Sequence, residues 1–440
     1  MKSFLRLSTK IFVCWVFVWP LAVNSQTFYQ DVAPIIYNNC STCHRPGEAA
    51  PFSLLTYDDV AKRASFIKKV VESGYMPPWK ADNSYVHFAN DRTLSKEEVN
   101  TIVKWVDRGT PKGKNKGKED MELFLSTAYT RQPDLTLMAK DTFLIKGDNR
   151  ERFVVFKVPF ELPDSVSIEA VEFFSNNKKL VHHVNYAIHE VGDPSIDIHK
   201  TAPFVNLTDE DRRRYDAYLP YKKKMSYYGG WIPGAGIESY PAGMGWVMPK
   251  RGVMLLTVHY SPTPVDEQSI SGIHLFYAKK PVERKVKVIS FGSGGIGEKE
   301  ITPTFFMIPA NKETSYRLTL SNPGQDFSLM YIWPHMHYIG KSFKAYATTQ
   351  ENDTIPLVNI PRWDFRWQEL YRFKKFVRIP KGSKIHMECV YDNTAENPFN
   401  PFSPPQTIFS YGDMRSDQEM MTMLMLFLPY REGDEELSTL

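Results

Sequence analysis

Residues 40–44 read Cys-Ser-Thr-Cys-His. Two cysteines two residues apart, followed at once by a histidine, can hold a c-type haem. The thiols form two thioethers and the adjacent imidazole binds the iron. With 4 cysteines and 11 histidines in 440 residues, chance produces the pattern in about one such chain in a thousand. A redox dithiol or a zinc site would use the same cysteines, but the immediate His44 and the lack of a second cysteine pair favour haem. The sixth iron ligand should follow the first helix. Met76, in Gly74-Tyr75-Met76-Pro77-Pro78-Trp79, is the expected one, and His87 is its rival. A thioether ligand favours electron transfer and raises the potential.

A second group of metal-ligand types lies downstream. His182 and His183 are vicinal, and His259 sits in Leu255-Leu-Thr-Val-His-Tyr260. His335 and His337 form an H-x-H in Trp333-Pro-His-Met-His-Tyr338. On a strand, H-x-H places both imidazoles on one face. A vicinal pair on a regular strand points to opposite faces, so His182 and His183 can share a metal only if their ring nitrogens differ or the backbone bends. Met420 follows in Ser416-Asp-Gln-Glu-Met420, with Met421 as its competitor and Met414, Met423 and Met425 as strand residues of the core. Imidazole suits copper in both redox states, and a thioether favours Cu(I). His189, His199, His274 and His386 read as structural.

The order His-His, Val-His-Tyr, His-Met-His and a late Met, across residues 133–430, resembles the copper type II, ascorbate-dependent monooxygenases. That family includes peptidylglycine α-hydroxylating monooxygenase and dopamine β-monooxygenase. The resemblance implies two jelly-roll sandwiches, each holding one copper, across a solvent-filled cleft. It implies an electron-transfer copper on His182, His183 and His259, and an oxygen-activating copper on His335, His337 and Met420. It also implies ascorbate as a reductant. Where peptidylglycine enzymes hold a carboxylate-binding arginine, two residues before H-x-H, this chain has Trp333. Their substrate-contacting Asn and Tyr correspond to Thr422 and Leu424, which argues against recognition of a C-terminal glycine. Cys389 aligns with one of the family's half-cystines, but the partner position is Met421.

These residues need elements to position them. Lys2, Arg6 and Lys10 precede an apolar run, Ile11–Val23, with small residues Val23 and Ser25 before Gln26. This reads as a secretory signal over 1–25, too short to span a bilayer, which takes roughly 20 apolar residues. An exported, periplasmic or secreted protein is expected, with no stable membrane span. Losing three basic and no acidic residues moves the formal charge from +4 to +1, so no nucleic-acid partner is expected. Cys14 leaves with the signal and Cys389 is then alone, so no internal disulfide is expected.

Residues 26–110 read as a helical, cytochrome c-like unit. One helix is expected over Asp58–Ser73, and another after the capping box Ser95/Glu98, stopped by Gly109 and Pro111. Residues 111–132 begin Pro-Lys-Gly-Lys-Asn-Lys-Gly-Lys and read as a solvated linker. Beyond Pro133, short alternating runs such as Phe153–Phe160, Val253–Tyr260 and Met421–Leu428 alternate with turn clusters. The expected fold is mainly β with a small α domain: two antiparallel sandwiches, 133–290 and 291–440, after the helical domain.

The expected function is a monooxygenase that takes O2 and a small-molecule or peptide substrate. The fused haem would supply electrons through a soft tether without a permanent interface, itself served by an external donor. The alternative is a haem and copper protein that transfers electrons or handles copper without hydroxylating anything.

Overall fold

A computed structural model describes residues 26–114, 131–322, 324–410 and 418–440. The expected signal, most of the linker and Met414 lie outside the described residues. In the N-terminal unit the capping box forms as read: Ser95 Oγ accepts from Glu98 N at 3.2 Å, and Glu98 accepts from Ser95 N at 2.7 Å. It starts the helix Lys96–Asp107. The single helix expected over 58–73 is two, Tyr57–Ala61 and Ala64–Glu72. Arg63 causes the break. Its amide bonds Val60 O, and its guanidinium takes the Asp59 carbonyl that the amide would use in a continuous helix.

The rest is β-structure in several sheets. In the first sandwich a five-stranded antiparallel sheet runs Phe204–Asn206, Arg152–Glu161, Arg251–Tyr260, Val181–Glu190, Met225–Trp231. It faces a six-stranded sheet across a core that includes Val154, Val184, Leu256, Ile168 and Ile273. The second sandwich pairs two four-stranded sheets. One runs Lys287–Gly292, Thr422–Pro429, Phe327–His335, Tyr371–Ile379. The strand Lys287–Gly292, which straddles the expected boundary between 290 and 291, thus joins the second sandwich.

Strand Phe327–His335 is buried along nearly its whole length, and Thr422–Pro429 likewise. The alternation expected over 421–428 is absent because both faces are covered. Met421, Met423 and Met425 enter the sandwich's own core. Leu426 and Leu428 pack, with Met330 and Tyr331, into the core of the first sandwich. The two sandwiches are therefore joined by apolar contact, and a strand covered on both sides has no polar face to show.

The helical unit is docked on both sandwiches, against the expectation of no permanent interface. Phe88 bridges Phe373 in a strand-like contact, and its ring lies 4.8 Å from that of Tyr371. Ala89 N donates to Arg372 O at 2.6 Å, and Arg372 N donates to Asn90 Oδ1 at 2.9 Å. Arg92 pairs with Glu369, Lys80 lies 3.2 Å from Asp364, and Lys178 lies 3.1 Å from Glu48. Four apolar residues of the mixed segment 79–88 make this interface: Ala81 and Phe88 are part of the second sandwich's core, and Trp79 and Val86 pack against it. No helix among the described residues is long and apolar enough to cross a membrane.

Candidate haem and metal centres

Cys40, Cys43, His44 and Met76 line one cavity of about 460 Å3, with Phe52, Leu54, Ile67 and Val71 among its apolar walls. His44 Nδ1 lies 3.0 Å from Phe52 O. That bond fixes the neutral tautomer with its lone pair on Nε2, the arrangement of an iron-binding imidazole. Burial pushes the Cys40 thiol up to about 12, with Cys43 adding to the rise. Met76 shares the cavity with His44, whereas His87 is exposed and lines no part of it. Apolar volume, both cysteines and two axial-type side chains together fit a covalent haem.

The vicinal histidines are reconciled by a β-bulge. His259 pairs with His183 and Tyr260 with Val181, so His182 is the extra residue. A bulge bends the strand and re-aims a side chain, and it brings His182 to the same metal-binding group as His183 and His259. One ring nitrogen of each lies within 4.8 Å of the others. His182 Nδ1 and His259 Nδ1 are 3.2 Å apart. Two nitrogens on one tetrahedral ion, each at ~2.05 Å, stand roughly 3.3 Å apart. His183 Nδ1 is buried without a hydrogen-bond partner. Burial pushes His182 down to about 4, against the pull of Glu151 and Asp364. Burial also holds His183 and His259 well below the usual imidazole range, as do the neighbouring histidines. The three are thus neutral, the form a metal needs. Geometry and protonation fit one copper ion.

His335 ends its strand and His337 lies in the irregular turn beyond it, so H-x-H is only half on a strand. The two rings are still 5.0 Å apart. Nδ1 of His335 bonds the Gln368 side-chain oxygen, and Nδ1 of His337 lies 2.9 Å from Gln418 O. Both bonds fix the tautomer with its lone pair on Nε2. Burial, with His337 nearby, pushes His335 down to about 3. Met420 and both histidines line a cavity of about 360 Å3, while Met421 is fully buried in the core. The period of two along the chain separates them: 421, 423 and 425 face the core, whereas 420, 422 and 424 face the cavity. The donor set of two imidazoles and a thioether fits copper.

Four residues that spacing did not single out hold these groups. Glu419 is buried and accepts from His337 N and Ile339 N, each at 2.9 Å, so it clamps the H-x-H turn beside Met420. Its burial pushes it up to about 8 against those bonds. Gln368 holds His335 and accepts Trp333 Nε1 on its backbone oxygen at 2.9 Å. Glu151 Oε2 stands 3.1 Å from His259 Nε2, and its other oxygen accepts from Tyr338 OH. Phe365 occupies the space between the two histidine groups, its ring 5.0 Å from His182, 5.8 Å from His259 and 5.8 Å from His337. The rings of His183 and His335 are only 6.1 Å apart. The two histidine groups thus stand side by side here rather than on opposite walls of the solvent-filled cleft that the resemblance implies. Only Glu419, an acid in a methionine-rich run, carried a local signal.

The remaining histidines differ. His274 bonds Thr136 and stacks on Phe174; His386 bonds Thr319 and Thr348. His199 is exposed. His189 lines the cavity of His335 and its Nδ1 is buried without a partner. Cys389 is buried and unbridged.

Residues 302–402 match the C-terminal domain of copper type II ascorbate-dependent monooxygenases. That span contains His335, His337, Phe365 and Gln368, and stops short of Met420. The match supports this family and, with it, a copper-dependent oxidoreductase. No curated protein matches the chain. Among solved structures, the infectious bursal disease virus VP2 subviral particle aligns at 10% identity and TM-score 0.18, covering 71% of this chain and 77% of that one. The bacteriophage PM2 major capsid protein P2 aligns at 8% identity and TM-score 0.22, covering 68% and 99%. PNGF-II aligns at 10% and 0.18, covering 72% and 69%. Likenesses this slight assign neither fold nor function.

Proposed function

We propose that this chain is an exported monooxygenase that hydroxylates an activated C–H bond, with two jelly-roll copper domains behind a cytochrome c-like domain. The observation that carries the reading is the cavity of about 360 Å3 with His335, His337 and Met420 on its wall, inside a region of which residues 302–402 match the family's C-terminal domain. A protein that only passes electrons has no use for such a space beside its metal. The reaction takes R–H, O2, two electrons and two protons to R–OH and water. Copper, when bound, supplies the affinity for O2 and the one-electron steps.

The chain's own residues do the rest. His335, His337 and Met420 would hold the oxygen-side ion, with Gln368 orienting the His335 ring and Glu419 clamping the backbone of the turn. His182, His183 and His259 would hold the other ion. Cys40, Cys43, His44 and Met76 would hold the haem that brings electrons in, in place of ascorbate or alongside it. Trp333, Tyr228 and Leu424 make the substrate wall largely apolar. Trp333 stands where a carboxylate-binding arginine would be, so a neutral, apolar or aromatic substrate suits the cavity better than a peptide carboxylate.

Rapid mixing tests the reading. Ferrous haem in copper-loaded protein should be reoxidised by O2 only when a hydroxylatable substrate is present, and Met420→Ala should lose turnover while keeping its haem spectrum. Reoxidation at the same rate without copper would sink it.

A further inference from the structure

His182 and His183 are neighbours in sequence, yet they open onto different cavities. His182 lines the cavity of Cys40, Cys43, His44 and Met76. His183 lines the cavity of His335, His337 and Met420. His259, their third partner, is fully buried between them and pairs with His183 across the sheet. Of the three, His182 is the most exposed, half-buried where His183 and His259 are buried, which its place on the cavity of Cys40, Cys43, His44 and Met76 accounts for. Arg366 and Trp367 of the second sandwich complete that same wall.

We propose that the three-histidine site is the middle station of a fixed relay, with His182 as its wall toward the haem and His183 as its wall toward the His335/His337/Met420 site. This rests on the haem and copper reading above. The bulge at His182 is what makes the arrangement possible, because it lets adjacent residues serve one ion while facing two cavities. The docking fixes it in place. Phe88 on Phe373, Arg92 on Glu369 and Lys178 on Glu48 hold the helical unit against both sandwiches. The electron path then needs no diffusion of the helical unit.

A testable consequence is electrostatic. A cation held by His182 would stand at the wall of the cavity that Cys40, Cys43, His44 and Met76 line, in a site of low polarity, where charges act strongly on one another. It disfavours the ferric haem, which carries one more positive charge than the ferrous form. By linkage, the ion must bind the ferrous protein more tightly, tenfold for every 59 mV by which it raises the potential.

The experiment uses the full haem-containing chain, stripped of copper, and Zn(II) as a redox-silent probe. The haem midpoint potential is measured by spectroelectrochemistry with and without Zn(II), with bound zinc counted by metal analysis. The expected result is a rise on zinc binding that persists in His337→Ala and is lost, together with zinc, in His259→Ala. The Soret spectrum and circular dichroism report whether each variant is folded. Zinc bound at His182, His183 and His259 with an unmoved potential overturns the relay and leaves the copper reading standing. A rise lost in folded His337→Ala places the ion at the other site and also overturns it. Failure of the wild-type chain to bind zinc or copper, or to carry haem, overturns the reading beneath it and the relay with it.

Discussion

Replacing Glu151 by Gln keeps the shape of the side chain and removes the negative charge 3.1 Å from His259 Nε2. That carboxylate makes the imidazole a stronger donor to a metal at Nδ1. Losing such a partner costs roughly 10- to 100-fold in metal affinity. His259 is 0% exposed, but the Glu151 side chain keeps 23% exposure and its charge is partly screened. The lower part of the range therefore applies, about 10- to 30-fold, or about 1.4–2 kcal/mol at the three-histidine site. Tyr338→Phe removes the hydrogen bond that Glu151 accepts from Tyr338 while leaving its charge in place, and should cost less than about threefold by the same reasoning. The assay is competition between protein and a chelator for Zn(II), with fold checked by circular dichroism. Unchanged affinity in Glu151→Gln, or an equal loss in Tyr338→Phe, would refute the assignment of a charge effect transmitted through His259.

Two further outcomes follow from the same geometry. Met421→Ala should destabilise the fold by about 2–5 kcal/mol, as for a buried methionine in a packed core, whereas Met420→Ala should melt near the wild type and lose Cu(I) affinity; chemical denaturation and a Cu(I) chelator titration would show the roles exchanged if the strand faces were misread. His189 is pushed down to about 4, first by burial and then by Lys222. Its folded value lies below the unfolded ~6.5, so the unfolded chain binds the proton better. Stability from this group is complete above pH ~6.5 and is lost as pH falls towards 4. His189→Phe should therefore gain in melting temperature relative to the wild type between pH 7 and pH 5; a constant difference across that range would remove the claim.

Local chemistry was legible along the chain. Cys40 to His44 is contiguous, so the pattern can be read without the fold. Ser95 and Glu98 cap a helix within one turn, and Met420 and Met421 take opposite faces because a strand has a period of two. The sandwich class was legible because turn clusters divide short alternating runs. The same period failed over 421–428, because a second apolar partner covers the face that would otherwise be polar. The gathering of His182 and His183 with His259 into one group of ring nitrogens depends on a bulge, which forms only when Tyr260 pairs with Val181. Phe365 meets histidines from both sandwiches, and Glu151 reaches Tyr338 across 187 residues. The docking of Phe88 on Phe373 is of the same kind. Each of these is a pairing between distant segments, and no periodicity or spacing encodes it. The tertiary fold alone decided that the cavity lined by Cys40, Cys43, His44 and Met76 and the cavity lined by His335, His337 and Met420 meet at one pair of adjacent histidines.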